Sequence, residues 1–254
     1  MSLTLHVIDA FTDRPFAGNP AAVTVLDAFP DDERMQAIAR EMNLSETSFV
    51  VPRDDGEYDL RWFTPTVEMD LCGHATLAAA HFLGGSAAFH TRSGRLVCTG
   101  SEDGWIAMAL PLDPPRAEEA PDVPGSKDWR WFGRGRFDAL IQLDSADQVR
   151  SYEPDLNALA GLQSRAAIIT AAGDRPGIDF VSRVFAPNVG IGEDPVTGSV
   201  HPTLGHFWSE RLGRKDLVAE QASARGGVLR VRVEQEHVLV SGQAVTVSEV
   251  TLLV

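Results

Sequence analysis

Arg61-Trp-Phe-Thr-Pro65, followed by Gly73-His74 and His81-Phe82, recurs later in the chain as Arg183-Val-Phe-Ala-Pro187, followed by Gly198-Ser199 and His206-Phe207. Each copy keeps Phe-x-Pro ahead of a loop, then Gly with His or Ser, and then His-Phe after six residues. The two glycines lie 125 residues apart in a chain of 254, so the pattern reads as a duplication rather than a local coincidence. Gly73–Leu83 and Thr197–Leu212 are apolar nearly all round, as buried helices are, and are expected to begin at Gly73 and Thr197.

Around them the chain is a series of short β-type runs, from Leu3–Asp9 through Tyr58–Phe63 and Phe137–Leu143 to Ala244–Leu253. Their close spacing and the turn residues between them point to antiparallel meanders. Met35, Ile38, Ala39 and Met42 recur at helical spacing, which predicts an amphipathic helix over Asp31–Met42 capped by Asp31 or Asp32. The fold class is therefore α/β, of α+β type, with two pseudo-twofold-related domains, each built around one central helix. Pro111–Pro124 is rich in prolines and acids without periodicity and reads as the linker, placing the domains at 1–113 and 114–254. Pairing of the last strand, Val245–Val254, back to the first domain is left open.

The composition narrows the partners. With 22 Lys+Arg against 36 Asp+Glu the net charge is −14, which works against binding polyanions, because such affinity comes from cations replacing counterions on phosphate. No nucleic acid or membrane partner is expected. Lys127–Phe137 interleaves four cations with aromatics and superficially suggests a stacking surface for single strands. After an acidic linker in an acidic chain, it reads instead as a domain-entry strand with solvated arginines. The N-terminus lacks a basic leader and no apolar run approaches the about 18 residues of a membrane helix, so a cytoplasmic protein is expected. Cys72 and Cys98 lack metal-ligand spacing and are expected to be free thiols.

Chemistry is expected where the loops meet the central helices. A helix N-terminus offers unpaired N–H groups and the positive end of its dipole, a ready site for a substrate carboxylate. The second loop is longer, eleven residues from Pro187 to Gly198 against eight from Pro65 to Gly73, and the insertion is read as delivering a carboxylate in Glu193-Asp194. Glu46, at the entry to an apolar strand, reads either as a cleft-facing proton carrier with a pKa raised by burial or as a surface residue. His74 is expected to have a lowered pKa at its helix start, as a proton donor or acceptor or as a core histidine. Asp194 and Ser199 read equally as site residues or as caps of the second helix. Cys72 invites a two-thiol racemase reading, but the repeat sets Thr197 opposite it, and a hydroxyl is a far weaker acid. No phosphate loop, dinucleotide fingerprint or metal-ligand pattern appears, so neither a resident metal nor a cofactor is expected.

Gly18-Asn-Pro20, Asn43-Leu-Ser-Glu46-Thr, Phe63-Thr-Pro65, Leu71-Cys-Gly-His-Ala-Thr-Leu77, Gly192-Glu-Asp-Pro-Val-Thr-Gly-Ser199, Ser223-Ala-Arg-Gly-Gly227 and Ser241-Gly-Gln-Ala-Val245 resemble the phenazine-biosynthesis PhzF-like isomerase family. The family is similar in fold to diaminopimelate epimerase, which implies two curved, mostly antiparallel sheets, each wrapped round a central helix, with the site between the domains. It implies a proton shift without a cofactor; the phenazine-pathway member acts on trans-2,3-dihydro-3-hydroxyanthranilate. Glu46 matches its acid/base, and His74, Asp194 and Ser199 match the supporting catalytic groups. Gly73 and Gly198 would offer N–H groups to the substrate, and Asn19, Arg225 and Gly226 stand in binding motifs. The Leu-Cys-Gly-His form departs from the phenazine-pathway enzyme, so the reaction class carries over but the substrate does not. An amino-acid-like carboxylate substrate and a homodimer are expected. An amino-acid epimerase or racemase, or a non-catalytic binding protein on the same scaffold, are the alternatives.

Overall fold

The structure, a computed structural model, describes residues 2–253; Met1 and Val254, which the expected terminal segments include, lie outside the described residues. The chain divides into two compact units. Residues up to Ala109 join those from Ser241 onward in the first, and Leu110–Val240 form the second.

In the first unit Ser2–Ala10 pairs antiparallel with Asn19–Val25 on one side and with Ala244–Leu253 on the other, so the end of the chain covers what would be an open sheet edge. Asn19–Val25 runs parallel to Glu46–Pro52, with the helix Asp32–Met42 as the crossover between them. Glu46–Pro52 pairs antiparallel with Tyr58–Phe63, which is parallel to Ala87–Thr91 across the helix Gly73–Phe82. Asp31 is the cap of the crossover helix, its Oδ1 accepting from Arg34 N at 2.8 Å, and Asn43 ends it in the left-handed region. Met35, Ile38 and Ala39 pack from this helix onto Leu5, Ala22, Phe49 and Phe63. The helix Gly73–Phe82, buried from Gly73 through Ala80, contacts four strands, Ser2–Ala10, Asn19–Val25, Glu46–Pro52 and Ala244–Leu253.

The second unit repeats the sequence of pairings. Trp131–Arg134 is antiparallel to Ala139–Gln142, which is parallel to Ala167–Ala172. That strand is antiparallel to Phe180–Ala186, which is parallel to Asp216–Gln221 across the second apolar helix, and Gly227–Val233 closes the series. Two short helices, Ala146–Arg150 and Leu156–Ala160, fill the crossover, and Val149 and Leu159 bury against Phe132, Ile141, Ile169 and Phe185.

Several expectations differ from the structure. The parallel pairs are not meanders, because each is joined through a helix rather than a tight turn. The division falls at 109/110 rather than 113/114, and residues 241–253 belong to the first unit, through the pairing of the last strand with the first domain that the sequence left open. Pro111–Pro124 is not a free linker, since Arg116–Ala117 pairs with Gly133–Arg134 inside the second unit. The second apolar segment starts with a 3-10 turn, Gly198–Val200, and becomes an α-helix only at His201, where Pro202 suits a first turn that needs no N–H donor. Of the four cations of Lys127–Phe137, Arg134 bonds Glu118 at 2.9 Å, and Arg130, still largely exposed, lies 3.5 Å from Asp144.

Candidate active site

Both copies of the repeat hold their loop with an arginine fork. Arg61 Nε and Nη2 donate to the two Glu68 oxygens at 2.7 Å each, and Arg183 does the same to Glu193 at 2.7 and 2.9 Å. Glu68 and Glu193 each precede the helix glycine by five residues, so Glu193 is the counterpart of Glu68 and serves the loop. The insertion therefore lies before Glu193, as the 3-10 turn Pro187–Val189, and does not itself supply the carboxylate. Asp194 stands where the first copy has Met69.

In the first unit the strand starts and the helix start bring Asn19, Glu46, Cys72 and His74 together. Gly18 has φ +65, and a Cβ there would stand 2.1 Å from the Ala10 carbonyl oxygen, so only glycine lets the chain turn tightly into Asn19. Asn43, with φ 50, turns the chain toward Glu46, whose partner in the parallel ladder is Ala21. Cys72 caps the helix without a side-chain bond, Gly73 opens it, and His74 is its second residue. Ser48 Oγ donates to Ala75 O at 3.1 Å and ties the strand to this turn.

Glu46 is 6% and His74 5% exposed, which excludes the surface reading of Glu46. Glu46 Oε2 lies 2.8 Å from His74 Nε2 as a buried ion-pair contact, and neither atom has a hydrogen-bonding partner. On the other side of the ring, His74 Nδ1 lies 3.2 Å from Asn19 Nδ2 and 3.5 Å from Cys72 Sγ. In the neutral ring Nδ1 accepts from the amide and the proton sits on Nε2, the side of the Glu46 carboxylate; in the charged ring both nitrogens carry a proton. The His74 pKa is raised well above 6.5, not lowered: burial opposes the charged ring, but Cys72 and Glu46 more than offset it. The helix dipole is outweighed by a carboxylate in contact. Burial, aided by Glu46, pushes the Cys72 thiol up, which leaves it protonated and a poor nucleophile.

In the second unit Asp194 ends a short strand, and its Oδ2 accepts from Thr197 Oγ1 at 2.5 Å. Neither Asp194 nor Ser199 caps the helix, whose N-cap, Val200, has no side-chain bond. Gly198 is buried and Ser199 half-buried in the preceding turn. Ser223 Oγ donates to Pro195 O at 2.7 Å and accepts from Gly226 N at 3.1 Å, which joins the stretch carrying half-buried Arg225 and Gly226 to the loop of Asp194.

One residue escaped the sequence reading. Gln221 is fully buried; its Oε1 accepts from Thr197 N at 2.9 Å and its Nε2 donates to Asp194 O at 2.8 Å and Thr197 Oγ1 at 3.2 Å. The signal is a polar residue at an inward position of the alternating strand Asp216–Gln221.

The family model PhzC-PhzF, described as phenazine biosynthesis-like protein, matches residues 8–250. The chain belongs to this family. An uncharacterized isomerase of Halalkalibacterium halodurans is 44% identical over 100% of this chain and 99% of that protein. One of Pseudomonas aeruginosa is 48% identical over 96% of each. Among solved structures, a PhzF family protein from Enterococcus faecalis covers all of both chains at 38% identity with a TM-score of 0.93. This α/β family fold thus carries the buried Glu46–His74 pair in the first unit and the Asp194 loop in the second.

Proposed function

We propose that this member of an isomerase family moves a proton on a small, carboxylate-bearing, amino-acid-like substrate without a cofactor, with Glu46 as the acid/base. The observation that carries the reading is the 2.8 Å approach of Glu46 Oε2 to His74 Nε2 in a buried setting. Glu46 takes a proton from one substrate carbon, the C–H electrons move into the conjugated system, and the same proton is delivered to a second carbon. Nothing is oxidised or reduced. His74 holds the carboxylate in place and balances its charge, and Asn19 sets the ring from the far side. Gly73 presents a first-turn N–H to substrate oxygens. In the second unit Asp194, Ser199, Gly198, Arg225 and Gly226 are assigned to substrate contact, on a loop held by Gln221 and Ser223.

A two-thiol epimerase is less well supported. The counterpart of Cys72 is Thr197, whose hydroxyl donates to Asp194 and whose neighbour Gln221 holds it there.

The test is proton NMR in D2O with trans-2,3-dihydro-3-hydroxyanthranilate and a panel of small amino and hydroxy acids. The reading expects a double-bond shift with transfer between carbons for at least one compound. Inversion at a single α-carbon with solvent deuterium uptake supports the epimerase, and binding without either change supports a non-catalytic role.

A further inference from the structure

The Glu46–His74 pair has a third member whose chemistry an acid/base role leaves unused. Cys72 Sγ, one His74 ring nitrogen and one Glu46 oxygen all lie within 4.8 Å of one another, and all three residues are buried. We propose that Glu46, Cys72 and His74 form a site for one exchangeable thiophilic divalent cation of the zinc or cadmium class.

Ligand type and spacing carry the inference. Thiolate, imidazole and carboxylate are the three donors zinc takes in proteins, with bonds of about 2.3, 2.0 and 2.0–2.2 Å. A sulfur and a nitrogen on one tetrahedral zinc then stand about 3.6 Å apart. Cys72 Sγ and His74 Nδ1 are already 3.5 Å apart. Glu46 Oε2 stands at the other ring nitrogen, Nε2, so the tripod closes when the carboxylate swings, or the ring turns, to bring all three donors onto one ion, leaving a fourth position open. Glu46 Oε2 has no hydrogen bond to give up on one side, since its short contact is with His74 alone. On binding, three coordinate bonds form, and the thiol proton and the ring proton of charged His74 leave to solvent. No charge is left unbalanced, because a thiolate and a carboxylate neutralise the dication. Sequence spacing hides the set, since Glu46 reaches the other two only through the fold. The proposal rests on this geometry and not on the isomerase reading.

Cobalt(II) and zinc titrations of the full chain after dialysis against a chelator test it. The expected result is one cobalt per chain with a sulfur-to-cobalt charge-transfer band, displaced by zinc. Cys72→Ser should abolish the band and weaken zinc binding at least about tenfold, and Glu46→Gln should weaken it while keeping the band. Cys98→Ser should change neither. Absence of stoichiometric binding would overturn the proposal. So would binding that Cys72→Ser leaves intact, which would place the ion elsewhere, as at the surface trio Asp55, Glu57 and His90.

Discussion

Thr76 and His201 make the same bond at equivalent points of the two units. Thr76 Oγ1 donates to Cys72 O at 2.5 Å, and His201 Nδ1 donates to Thr197 O at 2.8 Å, each reaching back four residues to the position before its helix glycine. The duplication thus survives in how each unit secures the turn into its central helix, even where the residue types have diverged. The exchange of hydroxyl for imidazole has an energetic consequence in the second unit.

His201 is fully buried, its Nε2 has no hydrogen-bonding partner, and burial lowers its pKa to about 4. The unfolded chain takes up a proton near 6.5 that the folded chain refuses until about 4. Stability is complete above 6.5 and declines as pH falls toward 4, by about 3 kcal/mol if the whole shift is realised. Urea unfolding of wild type and His201→Thr, which keeps a donor for Thr197, should show that slope only in the wild type.

His74 behaves oppositely. Its folded pKa is raised, so its contribution is complete below 6.5 and is lost as pH rises through the folded value. Imidazole NMR should show it titrating above 6.5, and below its wild-type value in Glu46→Gln. A wild-type value under 6.5 would contradict the offset assigned to Cys72 and Glu46.

Gln221 holds the Asp194–Thr197 turn through three hydrogen bonds. Gln221→Ala leaves the Thr197 N–H without this partner and should cost about 1–3 kcal/mol in urea unfolding. Gln221→Glu keeps the acceptor for Thr197 N but loses the donor to Asp194 O, and should lose affinity for a substrate that contacts this loop before it loses the fold.

Gly18→Ala should destabilise by more than about 1 kcal/mol, because the left-handed backbone and the Ala10 carbonyl both exclude a Cβ. Thermal unfolding checks it, and since the strain falls next to Asn19, the His74 resonance should move as well.

The central helices and the duplication were legible because Phe-x-Pro and the helix glycines recur in the same order in both halves, with His-Phe at one spacing after each glycine. Asp194 and Ser199 were legible as a motif, but not their bonding, since Asp194 turned out to serve Thr197 rather than the helix end. Ala146–Arg150 and Leu156–Ala160 were not, as five residues are too few to show a helical period. Glu46 was ambiguous at a strand start, where burial depends on the helix that packs beside it. The charge of His74 was misjudged for the same reason: the dipole is local and readable, whereas the carboxylate that outweighs it arrives through tertiary contact.

The most direct measurement of the central claim is turnover, by NMR in D2O, of Glu46→Gln and Cys72→Ser side by side on whichever panel compound the wild type converts. The amide keeps the shape of Glu46 but cannot carry the proton, so Glu46→Gln should lose at least about 10²–10⁴-fold. Cys72→Ser should retain most of the wild-type rate. Loss of activity in Cys72→Ser with Glu46→Gln largely active would contradict the assignment of Glu46 and return the thiol as the proton carrier.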